Sequence, residues 1–473
     1  MSLLVAGDTC WRVEQADKFA VIVDGADYFR HVKQAMLRAK RRVMLIGWDF
    51  DMRVTFERGG KTLAGPNQLR AFLWFLLRMR PDLEIYVLKS NLNLVPAFQT
   101  IWNGVTPVAL LNLLSSDRLW FAVDGAHPTG AVHHQKIIVI DDVLGFCGGI
   151  DLTIDRWDTP EHLDRNNIRR TLGRSYGPRH EVAVVVDGAA ARTLGEQART
   201  RWHTATTQSV APIEDGDRIW PHGLEPHLRQ IDVGIARTAP ALKAGNEVRE
   251  VEALNLAGIA AARRTIYLEN QYLASRRLAT ALAERLQEPD GPEIVIVLPR
   301  RSESRLERES MDSARHDLLQ LLWSADDHKR FGVYWPVTDG GTPVYVHSKV
   351  MVIDDCLLRI GSSNLNNRSM GFDSECDVAI EGHPEVITAT RNGLVGEHLG
   401  VTVEDFGEAV DRHGSFLAAV EALRGEGRSL VAFTVEALVD EAGPLAENDL
   451  MDPDHVPRSF SNTVQRLLGR LTE

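Results

Sequence analysis

Two stretches of the chain decide the fold: HQKIIVID at residues 134–141 and HSKVMVID at residues 347–354. Both read His-x-Lys-x-x-x-x-Asp. The offset between them, 213 residues from 134 to 347, holds beyond the motif: Asp142 maps to Asp355, Gly148 to Gly361 and Asp151 to Asn364. One such motif carries little information, because its residue types are common. Two copies on apolar, β-branched runs, each followed at the same distance by a turn of small residues, mark a duplication.

The runs 137–140 and 350–353 have the composition and length of strands. Side chains on a strand alternate faces, so His134 and Lys136 are expected on one side, as are His347 and Lys349. An imidazole beside an ammonium suits an anion. The ammonium neutralises charge, and the imidazole attacks or moves a proton near neutral pH. Asp141 and Asp354 fall at strand ends, at odd spacing from the histidines. They read as structural, closing a turn or pairing with a cation.

Outward from the motifs, strand and helix patterns alternate in the same order in each half. In the first half the helix patterns cover 28–41 and 68–78, and the strand patterns 42–49, 84–88 and 120–123. Residues 92–114 are apolar without a clean period, fitting a helix or part of a cleft mouth. In the second half helices are predicted over 251–264, 278–286 and 307–323, with strands at 265–268, 293–298 and 332–335. This alternation predicts an α/β layered fold, and the repeat predicts two similar lobes about a pseudo-two-fold with the site between them. The expected division is a first lobe at 1–204, an inter-lobe connection at 205–250, a second lobe at 251–382, and a C-terminal helical extension and tail at 383–473. Glu181 and Glu375 open similar strands at an offset of 194. The drop from 213 leaves about 19 extra residues in the first half, placed in the polar, Arg-rich segment 157–178 as a loop near the site mouth.

Composition narrows the function. The net charge is −12, which disfavours broad nucleic-acid binding and stable docking to strongly anionic membranes. No apolar run approaches the roughly 20 residues of a membrane span. The N-terminus lacks a signal-peptide pattern. A soluble, cytoplasmic monomer, in peripheral contact with membrane at most, is expected. The four cysteines show no metal-like spacing and read as free thiols, buried at Cys147 and Cys356.

The double motif, with GGIDL at 148–152, GSSNLNNRS at 361–369 and YLENQYL at 267–273, resembles the phospholipase D superfamily, in particular its two-motif type in bacteria and plants. The likeness runs from about residue 18 to about residue 400. It implies two phospholipase D-like lobes, each a mixed sheet flanked by helices, and a two-step displacement at a phosphodiester of a glycerophospholipid. One histidine forms a phosphohistidine, and the other protonates the leaving alcohol and then activates water or another alcohol. Carried over, His134 is the nucleophile and His347 the acid/base. Lys136, Lys349 and Asn364 bind the phosphate oxygens, with Ser362 as a further donor. Gly149 and Asp151 stand where the second half has Ser362 and Asn364, so help from that half is expected through backbone amides. Glu181 and Glu375 match acids that orient a histidine through Nδ1. Trp48, Asn270, Gln271 and Tyr272, at the ends of equivalent strands, are candidates to line the headgroup site. Arg156 and Arg368 are expected to brace the interface by ion pairs. No cofactor or metal is called for, since no separate ligand cluster shows in the spacing. A cardiolipin synthase-like phosphatidyltransferase is the alternative, and a nuclease-type phosphodiesterase the third reading.

Overall fold

The computed structural model describes residues 2–91, 117–241, 247–435, 438, 452 and 453. The apolar stretch 92–114 and nearly all of the tail lie outside the described residues. Strands are numbered in chain order. The first half holds β1 (Arg12–Val23), β2 (Arg42–Gly47), β3 (Glu84–Ser90), β4 (Leu119–Asp124), β5 (Ile137–Ile140), β6 (Leu144–Gly148), a small hairpin of β7 (Arg170–Thr171) and β8 (Arg174–Ser175), β9 (Arg179–His180) and β10 (Val182–Asp187). The second holds β11 (Leu228–Ala239), β12 (Val248–Arg249), β13 (Thr265–Glu269), β14 (Glu293–Val297), β15 (Phe331–Val337), β16 (Tyr345–Val346), β17 (Val350–Ile353), β18 (Leu357–Gly361), β19 (Glu375–Glu381) and β20 (Ser429–Ala432).

One sixteen-stranded sheet runs through the described residues. From its centre, where β1 and β11 pair antiparallel, the order on one side is β10, β6, β5, β2, β3, β4, and on the other β19, β18, β17, β13, β14, β15. The two sides mirror each other in direction as well. The outer three strands of each are parallel and the rest antiparallel. A mixed sheet of this kind needs cover on both faces where it is parallel. Strand β2 shows why the sequence supplies it: Val43 and Leu45 enter one core cluster, Met44 and Ile46 another. Helix Gly25–Arg38 covers the first face by burying Tyr28, Phe29, Val32 and Met36, at helical spacing. On the opposite face one continuous core spans both halves under helices Gly188–Thr206 and Pro384–Leu399. No described helix is long and apolar enough to cross a membrane.

Two features depart from expectation. The 205–250 connection contains β11, a twelve-residue strand at the middle of the sheet. The C-terminal stretch returns to the sheet as β20, on the edge beyond β15. Cys356 is half-buried and precedes β18, whereas Cys10, Cys147 and Cys376 are buried, all four as free thiols.

The turn after β18 is built on a buried ion pair. Arg359 donates to Asp377 and to Ser363 Oγ, each at 2.5 Å, and Asp377 Oδ1 accepts the amides of Ser362 and Ser363 at 2.9 and 3.1 Å. Both charged side chains are inaccessible. Arg359→Leu strands the carboxylate, with an expected loss of about 3–5 kcal/mol in urea unfolding. A loss below about 1 kcal/mol, the scale of an exposed pair, contradicts this account of the turn.

Candidate active site

The His-x-Lys segments are the approaches to β5 and β17; the strands begin one residue later, at Ile137 and Val350. This corrects the reading that places them on the strands themselves. Each lysine turns back on its own histidine: Lys136 Nζ donates to the His134 carbonyl at 3.0 Å, and Lys349 Nζ to that of His347. Each approach is tied to the other half of the chain. The His134 amide donates to Ser374 O and the His347 amide to His180 O, both at 2.9 Å.

The acids cross over in the same way. Both carboxylate oxygens of Glu375, at the head of β19, lie 3.0 Å from Nδ1 of His134. Glu181, just before β10, holds Nδ1 of His347 at 2.9 Å. Glu375 also accepts the hydroxyls of Ser362 at 2.5 Å and Ser369 at 2.6 Å. Arg156 faces Glu181 at 3.7 Å, and Arg368 pairs with Asp373 at 2.8 Å while donating to Gly130 O at 2.7 Å.

Burial dominates the electrostatics. It pushes Glu375 up to about 8, against the two hydroxyls, and raises Glu181 against Arg156. It holds His134 well below 6.5, reinforced by Lys136 and then Lys349. His347 is held down by burial, then by Lys349, Arg156, Arg179 and Lys136. Lys349 is itself lowered by burial, helped by Lys136 and Arg156. Each histidine is held by an acid of the other half, so the two motifs meet at one junction. With the glutamate ionised and the ring proton on Nδ1 facing it, Nε2 keeps a lone pair able to attack or accept a proton.

The other expected residues divide. Trp48 sets its ring edge-on to His134, centroids 6.4 Å apart. Gln271 accepts from Lys349 Nζ at 3.2 Å and donates to Tyr272 and Tyr345 at 2.8 and 3.0 Å. Asn364 is buried in the turn after β18, its amide N–H on Ser369 Oγ at 3.0 Å and its Oδ1 without a hydrogen-bond partner. Four assignments to substrate are corrected. Ser362 has its hydroxyl committed to Glu375. Asn270 is buried and binds the Ser363 carbonyl and the Leu365 amide. Asp151 pairs with Lys136 at 3.2 Å and accepts the Trp48 amide at 3.0 Å. The Gly149 amide is spent on Val182 O at 3.3 Å. A side chain at Gly149 would meet His347 O at 3.0 Å and Lys349 Cδ at 3.2 Å, which accounts for glycine where the other half has Ser362. The motif aspartates turn away from the histidines. Asp141 caps the amides of Lys40, Arg41 and Arg42, and Asp354 those of Arg263, Arg264 and Thr265.

Sequence reasoning missed Ser369, and it missed a histidine–carboxylate cluster. Asp24, His162, His180 and Glu397 come from four distant segments, yet offer one ligand atom each within 4.8 Å of the others. No spacing within the chain signals such a set.

A mixed sheet of mirrored order that brings two His-Lys pairs to one junction defines a duplicated α/β protein with a single composite site. Residues 256–392 match the family described as "Cardiolipin synthase, PLD-like domain". The chain is 26% identical over 431 residues to phospholipase D alpha 4 of Arabidopsis thaliana, covering 67% of this chain and 55% of that protein. It is 22% identical over 490 residues to phospholipase D1 of Saccharomyces cerevisiae, covering 81% and 29%. The chain thus spans about half the length, or less, of these curated relatives. The crystal structure of phosphatidylserine synthase from Haemophilus influenzae shares the fold, with a TM-score of 0.55 at 11% identity over 98% of this chain and 94% of that one. The family match and the curated relatives together support a phospholipase D superfamily member.

Proposed function

We propose that this chain is a phospholipase D. It hydrolyses the distal phosphodiester of glycerophospholipids to phosphatidic acid and free headgroup through a phosphohistidine, and it also passes the phosphatidyl group to alcohols. The observation that carries the reading is the crossed pairing: two imidazoles, each held at Nδ1 by a buried acid of the other half. In this mechanism His134 Nε2 attacks phosphorus, in the role the family resemblance gives it. Burial and then the positive charge of Lys349, Arg156, Arg179 and Lys136 hold His347 low; the incoming phosphodiester anion offsets that charge, so His347 carries a proton for the leaving alkoxide. His347 then takes a proton from water or an alcohol, whose oxygen attacks phosphorus and frees His134. Lys136, Lys349 and Asn364 bind the nonbridging oxygens. Glu375 and Glu181 keep each ring in one tautomer. Residues 1–204 and 251–382 each supply half of the site, and Trp48, Gln271 and Tyr272 line it.

A second reading, a cardiolipin synthase-like phosphatidyltransferase, is favoured by the description of the match at 256–392. The two differ in the acceptor, and the same experiment separates them: brief turnover of phosphatidylcholine with graded ethanol or phosphatidylglycerol, with products read by mass spectrometry. Phosphatidylethanol is expected to rise with ethanol while lipid consumption changes little, because both acceptors draw on one intermediate. Phosphatidic acid alone at every ethanol concentration counts against an accessible intermediate. Cardiolipin as the dominant product favours the second reading. The net charge of −12 weighs against nucleic acid as substrate.

Peripheral lipid contact is supported by the segment 157–178. It exposes Leu163, Ile168 and Leu172, the last 72% accessible at the tip of the β7–β8 hairpin, among exposed Arg165, Arg170 and Arg174. An apolar tip ringed by arginine suits a headgroup layer. Leu172→Asp is expected to lower turnover on vesicles by about tenfold, the value of burying about two methylenes, and to leave turnover of a monomeric short-chain lipid unchanged. Equal loss on both substrates contradicts a surface-binding role.

A further inference from the structure

A second cluster of titratable side chains lies behind Glu181, outside the paired histidines. His180 is fully buried, and around it stand Asp24 at the end of β1, His162 in the 157–178 segment and Glu397 in helix Pro384–Leu399. His180 Nδ1 lies 2.8 Å from Glu397 Oε1 and 3.5 Å from Asp24 Oδ1. His162 Nε2 lies 3.1 Å from Glu397 Oε1 and 3.7 Å from Asp24 Oδ2. Tetrahedral zinc with bonds of about 2.0–2.2 Å holds its ligand atoms roughly 3.3–3.6 Å apart; the 2.8 and 3.1 Å separations to Glu397 Oε1 and the 3.5 and 3.7 Å separations to the two Asp24 oxygens lie on either side of that value.

Two further observations point to an ion. Asp24 Oδ2 is buried and has no hydrogen-bond partner, although it faces His162 Nε2. Each histidine also turns its other ring nitrogen to a second carboxylate: His162 Nδ1 is 3.0 Å from Asp158 Oδ2, and His180 Nε2 is 2.9 Å from Glu269 Oε2. Carboxylates in that position fix the tautomer and orientation of metal-bound imidazoles. They are themselves held, Asp158 by Arg169 at 3.0 Å and Glu269 by the hydroxyls of Ser348 and Tyr267 at 2.7 and 2.5 Å. Against these four carboxylates stands one guanidinium, that of Arg169, which bonds Asp158. A divalent cation offsets two of the remaining charges; protonating the histidines is the other way to do so.

We propose that Asp24, His162, His180 and Glu397 bind one first-row divalent cation of the zinc class, with Asp158 and Glu269 orienting the two imidazoles. Four protein ligands close the coordination shell, as in structural rather than catalytic zinc sites. The site grips the segment that carries Glu181 into β10. The Asp24 amide donates to Glu181 O at 2.7 Å, the Glu181 amide donates to Asp24 Oδ1 at 3.1 Å, and the His347 amide donates to His180 O.

The test is elemental analysis of the full chain, expressed in zinc-supplemented medium and dialysed, beside Asp24→Asn and His162→Gln. About one equivalent of zinc is expected in the wild type, and most of it lost in each variant. A second measurement uses the wild type alone, so that a misfolded variant does not decide the matter. The chain is produced with cobalt as the supplied metal and read by visible absorption, which reports tetrahedral ligation, and the thermal midpoint of chelated protein is taken with and without zinc chloride. Cobalt absorption and a rise of several degrees are expected. A folded wild type with well under one equivalent of metal, no cobalt bands and no thermal shift overturns the proposal and leaves a network of imidazolium ions. None of these readouts uses lipid, so their failure leaves the proposed reaction untouched.

Discussion

Replacing either His134 or His347 with alanine is expected to cut turnover by on the order of 10⁵-fold or more, with the chain still folded. Each imidazole has a task the other does not fill, attack on phosphorus or transfer of the leaving group's proton. Folding survives because each buried carboxylate keeps another partner when its ring is lost, although the His347 ring is itself buried beside Tyr345. The His134 side chain is 15% exposed, and Glu375 keeps the hydroxyls of Ser362 and Ser369 when the ring is gone. Glu181 likewise keeps Arg156 nearby. Headgroup release measured beside circular dichroism checks both halves of the statement. A folded variant that retains more than a few per cent of wild-type turnover removes that histidine from the chemistry.

The acids should follow the crossed pairing, not the half of the chain they belong to. Glu375→Gln and Glu181→Gln are each expected to cost about 10²–10⁴-fold, because an amide leaves the ring free to take the wrong tautomer. Their profiles should differ. With a p-nitrophenyl phosphatidyl ester the leaving group needs no proton, so the first-step burst should recover in Glu181→Gln, whose partner is His347. Glu375→Gln should stay slow, since its partner His134 must still attack. The reverse pattern would exchange the roles of the two histidines. Equal recovery in both would mean that the acids do not serve separate steps.

The double motif made the mirrored order of the sheet legible, because one offset runs through the motif and the turn after it. Several features lay beyond that reach. The pairings His134–Glu375 and His347–Glu181 join residues 241 and 166 positions apart, and the motif symmetry is equally compatible with pairing inside each half. Strand β11 was hidden because Leu228–Ala239 mixes Arg, Gln and Asp into a strand buried along one face only toward its start, so it reads as a connection. Ser362 and Asn270 stood in family-like positions, but their polar atoms are consumed by Glu375, Ser363 and Leu365 in the layer behind the histidines. A sequence match does not distinguish an atom that faces substrate from one that holds the atom that does. The Asp24–His162–His180–Glu397 cluster draws on four segments brought together only by the completed sheet.

The most direct test of the central claim is to find the covalent intermediate. The wild-type chain is quenched in alkali during steady turnover of a short-chain phosphatidylcholine, digested and mapped by tandem mass spectrometry under conditions that spare phosphoramidates. The account predicts the phosphatidyl mass on the peptide carrying His134, at its imidazole, and its depletion when ethanol is added before the quench. The mass on the peptide carrying His347 would reverse the assigned roles, and no covalent adduct on either histidine during turnover would contradict the two-step mechanism.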